Sequence, residues 1–193
     1  MQSNDITNSS INKFLRRGGA LDISGDSHGV VRSYIRRVVE KYIRDVSIIT
    51  NFYKQRTVSL EHFKRALEIS NQALASSKPK GSKSEIKQCK DASTVYKKIT
   101  GKTRVKYQQN NTDCLIIPKA TFKRYTKSVL EDVSELQKVS VDFLLYFQLF
   151  IEYIISDMAL EATKHAKFRE GSEDNFKVTA KDINMAIAHD NYI

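Results

Sequence analysis

Arg16-Arg17-Gly18-Gly19-Ala20-Leu21-Asp22-Ile23-Ser24-Gly25 opens the stretch that decides the fold, and Gln55-Arg56-Thr57-Val58 closes it. Between them, apolar residues fall at Val30/Val31, Tyr34/Ile35, Val38/Val39, Tyr42/Ile43, Val46, Ile49 and Tyr53. The i, i+3/i+4 spacing predicts one long amphipathic helix. Gly18-Gly19 and Ser24-Gly25 break the chain before it, and Lys54-Gln55 breaks it after. Upstream, Ile11, Phe14 and Leu15 share one face of a short helix expected from about Ser9 to Arg17, ended by Gly18-Gly19. Ser24 is the expected N-cap of the long helix. Ser59 is the expected cap of a third helix reaching about Ser70, with Leu60, Phe63, Ala66 and Leu67 inward. Residues 1–7 read as disordered.

The short–long–short pattern then returns with little sequence identity. Phe122 to Val133 predicts a short helix, and Leu136-Gln137-Lys138-Val139 a loop. Ser140 caps a second long helix expected to run to about Lys167. The core of that helix, Phe143 to Ile155, has only Gln148, Glu152 and the tyrosine hydroxyls as polar groups. It is therefore read as buried on more than one side, as too short for a bilayer, and as leaving apolar surface for further association. Gly171-Ser172-Glu173-Asp174 reads as a loop. Thr179-Ala180-Lys181-Asp182 has capping-box spacing, with Asp in place of the usual Glu, ahead of a last helix through Ile187. A single short–long–short unit cannot cover its long helix. Two units crossing head to tail can, so the expected fold is all-α, with two units paired within one chain. The expected divisions are 1–70, 71–112 and 113–193.

Charge distinguishes these parts. The chain has 193 residues and a formal net charge of +10. Residues 1–70 carry 12 Lys/Arg against 7 Asp/Glu, a net of +5. Residues 71–112 carry 10 against 2, a net of +8, and residues 113–193 carry 10 against 13, a net of −3. A polyanionic partner follows from the total. Ser76 to Lys83 is a linker by composition, and part of Tyr96 to Gln109 is expected to be helical.

Other classes have little to support them. No run of about 18 uncharged apolar residues is present, and the N-terminus lacks an apolar signal core, so no membrane partner and an intracellular, unsecreted protein are expected. Cys89 and Cys114 form neither a disulfide framework nor a ligand pattern. His28, His62, His165 and His189 are scattered, and no phosphate loop or nucleophile motif appears. No catalytic residue, metal or cofactor is expected.

From about Ile11 to Leu67 the chain resembles core histone four without a gap. The resemblance rests on Arg16-Arg17-Gly18-Gly19, Ile23-Ser24-Gly25, Ile43-Arg44-Asp45 and Arg56-Thr57-Val58 at matching spacing. The second unit resembles core histone three less closely. Its matching residues are Lys106-Tyr107-Gln108 with Leu115-Ile116, then Phe122-Lys123-Arg124, His165-Ala166-Lys167 and Lys181-Asp182-Ile183. Met185-Ala186-Ile187 also suits histone two-A. A histone-four unit fused to a histone-three unit is similar to the histone doublets of giant DNA viruses. The resemblance implies two histone folds in a handshake pair that package double-stranded DNA in nucleosome-like particles. It also implies a second copy of the chain joined through the second unit, and a further two-B/two-A-like histone pair. A host nucleus or viral factory, and the virion, are the implied locations. A histone-fold regulatory module is the first rival, and an archaeal-type polymerising histone the second.

Sequence-independent phosphate contacts in this fold use arginines, helix N-termini and loop amides. The candidates are Lys13, Arg16, Arg17, Arg56 and Thr57 in the first unit. Lys119, Arg124, Lys127 and Lys138 are the candidates in the second. Lys97, Lys98, Lys102, Arg104 and Lys106 are further candidates in the connector. For each, the rival reading is a solvated surface charge or, in the connector, a mobile lysine linker. By resemblance, His165 and Asp182 meet across a two-fold axis between copies. Their rival readings are an exposed helix-end histidine and a helix-capping aspartate, and Asp182 could do both. Several positions depart from the family. Leu21 and Asp22 replace basic residues, Ile49, Phe52 and Arg65 alter the partner face, and His62 replaces the acidic capping residue. An insertion, Arg169 to Phe176, brings Glu170, Glu173 and Asp174 into a loop expected to face DNA.

Overall fold

The computed structural model describes residues 6–69, 115–136 and 138–189. Of residues 1–7, read as disordered, Ile6 is buried in the core and Thr7 caps the first helix, its hydroxyl accepting the Ser10 N–H at 3.3 Å. Residues 1–5, the linker, the helix within Tyr96–Gln109 and the connector cations Lys97, Lys98, Lys102, Arg104 and Lys106 lie outside the described residues.

The first unit consists of α1 (Asn8–Arg17), β1 (Asp22–Ile23), α2 (Ser27–Phe52), β2 (Thr57–Val58) and α3 (Leu60–Ile69). The second repeats it as α4 (Lys119–Val133), β3 (Lys138–Val139), α5 (Val141–Glu170), β4 (Lys177–Val178) and α6 (Ala180–Ala188). Most of the expected helix signals act where the sequence puts them. Ser140 Oγ accepts the Phe143 N–H at 3.1 Å, and Thr179 with Asp182 forms a full capping box. Gly18-Gly19-Ala20 closes α1, with Ala20 N–H on the Leu15 carbonyl, Gly19 N–H on that of Arg16, and Gly19 at φ 99°. That positive φ is a conformation glycine adopts without steric cost.

Four boundaries differ. Ser24 does not cap α2, because its hydroxyl is engaged with the side chains of Asp26 and Ser27, and the helix begins at Ser27. α4 begins at Lys119, three residues before the first buried aromatic. Pro118 has extended ψ, and its carbonyl accepts the Phe122 N–H at 2.9 Å, which fixes the start. α5 runs past Lys167 to Glu170 and stops at left-handed Gly171, φ 63°. Within the expected loop 136–139, Lys138-Val139 is extended and pairs with the first unit.

That pairing shows how the units cross. Thr57 and Val58 lie parallel to Lys138 and Val139, and Asp22 and Ile23 lie parallel to Lys177 and Val178. At each end, the loop before one unit's long helix meets the loop after the other's. One further backbone bond extends each bridge: Ser140 N–H to Val58 O at 2.8 Å, and Ser24 N–H to Val178 O at 2.9 Å. The two units therefore pair head to tail, as expected, and the only strands among the described residues are these two-residue bridges.

Their core is shared. Phe63 of α3 lies edge-on to Phe143, Tyr146, Phe147 and Phe150 of α5, with ring centroids 5.3–5.8 Å away, and to Tyr42 of α2 at 6.3 Å. Edge-to-face geometry suits the ring quadrupoles. The expected surplus of apolar surface on α5 is largely absent. Sixteen of its residues are buried, and its large exposed apolar side chains are Val141 and Phe168. The helix is also long and apolar enough by length and composition to cross a membrane, which corrects the expectation that it is too short. However, 72% of the qualifying window is buried inside the pair. Its apolarity is used in the core.

Gly18 marks a close approach between the units. A Cβ there would sit 2.6–2.8 Å from backbone atoms of Ala159 and Leu160 in α5. Gly18→Ala is expected to destabilise the protein by about 1–3 kcal/mol, as overpacking does. Gly29→Ala, where nothing lies within 4 Å, is expected to stabilise it by about 0.5–1 kcal/mol. Phe63→Ala is expected to cost about 3–5 kcal/mol. Denaturant unfolding of the three variants checks all of these values.

Candidate nucleic-acid interface

The β2·β3 end brings together residues far apart in sequence. Tyr53 ends α2. Gln55 N–H then bonds the Thr50 carbonyl at 3.1 Å and Lys54 N–H that of Asn51 at 2.9 Å, with Lys54 at φ 54°. A glycine would adopt this left-handed position without strain, whereas a lysine there is uncommon. The turn sets exposed Lys54 and Arg56 beside Thr57, and the bridge aligns Thr57 with Lys138. Among the described residues, no acid lies within ion-pair distance of Lys54, Arg56 or Lys138. Arg56, Thr57 and Lys138 are thus brought to one edge. Lys54, read from sequence only as part of a helix break, joins them.

His62 supports this edge from below. It is buried, and its Nδ1 accepts the Ser59 N–H at 3.3 Å and stands 3.0 Å from Thr50 Oγ1. Ser59 Oγ in turn accepts the His62 N–H at 3.4 Å. This is a capping box in which a neutral imidazole does the work of a carboxylate, so the departure at this position keeps the cap. Burial pushes the His62 pKa below its ordinary value. Tyr53 stacks on the ring at 5.8 Å.

The remaining cations divide by environment. Lys13 and Arg16 are exposed on α1, and Lys127 is exposed on α4, one turn beyond exposed Lys123. Lys119 is half-buried, and burial pushes its ammonium pKa down. Arg124 is exposed but has interactions within the protein. Arg17 is half-buried, and its charge acts on Glu152. Glu152 lies in the core, where it accepts Ile116 N–H at 2.8 Å, and Ile117 N–H at 3.0 Å and Gln148 Nε2 at 2.9 Å. Burial pushes its pKa up to about 7 against those hydrogen bonds and Arg17. This group anchors the segment leading into α4, a role sequence reading missed.

The β1·β4 end is different. Lys177 Nζ lies 3.3 Å from Asp22, and Lys167 Nζ 2.5 Å from Glu173. The Ile23 N–H and Lys177 lower the Asp22 pKa. Arg169 pairs with Glu170, and it holds both oxygens of Asp182 at 3.0 Å. The acidic insertion thus folds onto the cations of its own end.

Two apolar surfaces border these ends. On the first unit, Ile48 (66% exposed) and Phe52 (77%) are one turn apart on α2. Tyr53 joins Phe52 to Arg65, and Ile69 is one turn beyond Arg65 on α3. Ile49 is half-buried against the core instead, so Ile48 is the residue that faces outward. On the second unit, Phe168 is 92% exposed, and Met185 is also exposed. His165 stacks on His189 with centroids 6.0 Å apart. Asp182 is buried, and Thr179 donates to it from both N–H and hydroxyl. Burial pushes the Asp182 pKa up, but the bonds from Arg169 and Thr179 outweigh this and hold it below the usual carboxylate value. Its capping role is therefore formed within one chain.

Among the described residues, no group of three or more His, Cys, Asp or Glu could hold a metal ion. No protein-family model matches the chain. It is 23% identical over 190 residues to a Melbournevirus protein described as histone doublet H4-H3, covering 94% of this chain and 84% of that protein. The order of units in that description matches the order read here. The fold is similar to that of the histone from Methanopyrus kandleri, with a TM-score of 0.57 and 13% identity over 95% of this chain and 93% of that one.

The buried imidazole predicts an acid-sensitive cap. Because its folded pKa lies below its unfolded value, unfolding takes up a proton first as pH falls. The stability it contributes is complete above an unfolded pKa of about 6.5 and is lost below that pH. Glu152 has the opposite sign, and its raised pKa makes acidification from about 7 stabilising. His62→Gln, which keeps an acceptor for the Ser59 N–H, isolates the first effect. Urea unfolding at pH 7 and pH 5 is expected to show the native protein losing stability relative to this variant.

Proposed function

We propose that the chain packages duplex DNA without sequence preference or enzymatic activity, as a covalently fused pair of histone-fold units. The observation that carries this reading is the β2·β3 edge. Arg56, Thr57, Lys54 and Lys138 converge there from both units, with no described acid within ion-pair distance of the three cations and the α3 N-terminus just behind. Backbone amides, a helix N-terminus and guanidinium groups recognise phosphate without reading bases. Similarity to a described histone doublet along most of the chain supports the same reading. Lys13, Arg16 and Lys127 are exposed and available to extend the DNA-binding surface.

The proposal includes assembly. A second copy joins through the second unit, near His165 and exposed Phe168, leaving Asp182 to approach from its capping position. Another histone pair covers Ile48, Phe52 and Ile69 on the first unit, which completes a nucleosome-like particle. Viral chromatin, in the host nucleus, the viral factory or the virion, is the proposed setting. The rival function as a regulatory module for protein binding draws on the same exposed Phe52 surface and on the −3 charge of residues 113–193.

Nuclease digestion of the chain with DNA tests the reading. Protection of roughly 100 base pairs or more is expected only when a second histone pair is present. Protection of a short site alone supports the regulatory rival. Arg16→Ala with Arg56→Ala is expected to reduce the slope of log affinity against log salt by roughly 0.9 for each phosphate that is no longer neutralised.

A further inference from the structure

We infer that, of the pair's two bridges, only the β2·β3 bridge engages DNA, and that the loops of the β1·β4 bridge have lost their capacity to hold phosphate. This inference rests on the DNA-packaging reading and divides the DNA-binding surface unequally between the ends. The two ends are built alike, from a parallel two-residue bridge between one unit's first loop and the other unit's second. Their charges are opposite. Loops 53–59 and 134–140 hold Lys54, Arg56, Lys138 and Glu135, a net of +2. Loops 18–26 and 171–179 hold Asp22, Asp26, Glu173, Asp174 and Lys177, a net of −3.

Geometry deepens the contrast. At the β2·β3 end, the cations have no described acidic partner and can meet phosphate at full charge. At the β1·β4 end, register sets Lys177 against Asp22, 3.3 Å apart, so the cation nearest the bridge is already paired. Lys167 is paired with Glu173 and lies over the Phe176 ring at 5.4 Å. Arg169, exposed, is already engaged, bonding Asp182 and, at 2.8 Å, the Lys177 carbonyl. A phosphate approaching this end would have to break those pairs and would still meet Asp26 and Asp174. Exposed pairs of this kind cost little to break, so what opposes a phosphate here is the net negative charge left on the loops, since like charges at such range repel. Lys181 is the one cation of α6 near this end, and Arg16 stands one loop away on α1.

Equilibrium binding of the full chain to a duplex of random sequence, measured across a salt series, tests this with matched variants. Arg56→Gln with Lys138→Gln is expected to lower the salt slope by about 1.8, the value for two phosphates. Lys177→Gln with Lys181→Gln is expected to leave it unchanged. Asp22→Asn, which keeps the acceptor for the Ile23 N–H, combined with Glu173→Gln and Asp174→Asn, is expected to steepen the slope and tighten binding. Circular dichroism of each variant confirms that the fold is kept. Equal losses from the two lysine-containing pairs, or no gain from removing the three acids, overturn the inference while leaving DNA binding in place. Absence of salt-dependent binding by the unaltered chain overturns the DNA-packaging reading and this inference together.

Discussion

Neither long helix can cover its apolar surface with the short helices of its own unit, and the rest of the structure follows from that. α2 has one apolar stripe, and α5 is buried around most of its circumference. The available cover for α5 includes α1 and α3 of the first unit, and the available cover for α2 includes α4 and α6 of the second. Phe63 shows the result on the scale of one side chain, since its ring has four aromatic neighbours from the opposite unit. Burying a large aromatic side chain is worth roughly 1.5–3 kcal/mol, and here each unit supplies the surroundings that make the other's burial possible. The parallel bridges are a consequence of this crossing. Two residues could not pair stably in isolation, but they are held in register by helices packed on both sides.

Buried polar groups fix the segment leading into α4 on α5, within the second unit. Glu152, Gln148 and the backbone of Ile116-Ile117 form a closed set, in which Gln148 Nε2 also donates to the Ile117 carbonyl at 2.7 Å. A displaced α4 would leave these groups without partners, at roughly 1–3 kcal/mol for each. Arg36 acts from the outside, reaching Asp132 of α4 at 2.7 Å while also pairing with Glu40 of its own helix. An exposed pair of this kind adds little stability, so its contribution is to orientation.

What could be read from the sequence was what is local. Helical spacing gave the long helices and most of their inward residues. Ser59, Ser140 and Thr179 were legible as caps, because a cap depends on a hydroxyl and on amides within three residues. Ser24 failed as a cap because two neighbouring side chains compete for it. The need of each long helix for cover gave the head-to-tail pairing, and the similarity in fold to the histone from Methanopyrus kandleri agrees with it. Non-local facts were out of reach. Nothing in Asp22 or Lys177 alone indicates that register sets them together. Arg17 looks as available as Arg16 until the chain is folded and its charge is found acting on Glu152. The apolar run of α5 gave no sign of how much of it two units together could cover.

The two ends of the pair differ because the two units differ. In a pair of identical units, a two-fold axis would make both ends equal, and an acidic residue gained in one loop would appear at both. Here β1 belongs to one unit and β4 to the other, so the β1·β4 end can change without altering the β2·β3 end. Covalent connection in a fixed order adds a second condition, because each chain always carries one end of each kind. The acidic insertion then has an evident structural effect. Glu173 and Glu170 take up Lys167 and Arg169, and Asp22 takes up Lys177. The charge of this end is settled within the protein, and the fold's bridge remains there intact without the free cations that accompany it at the other end.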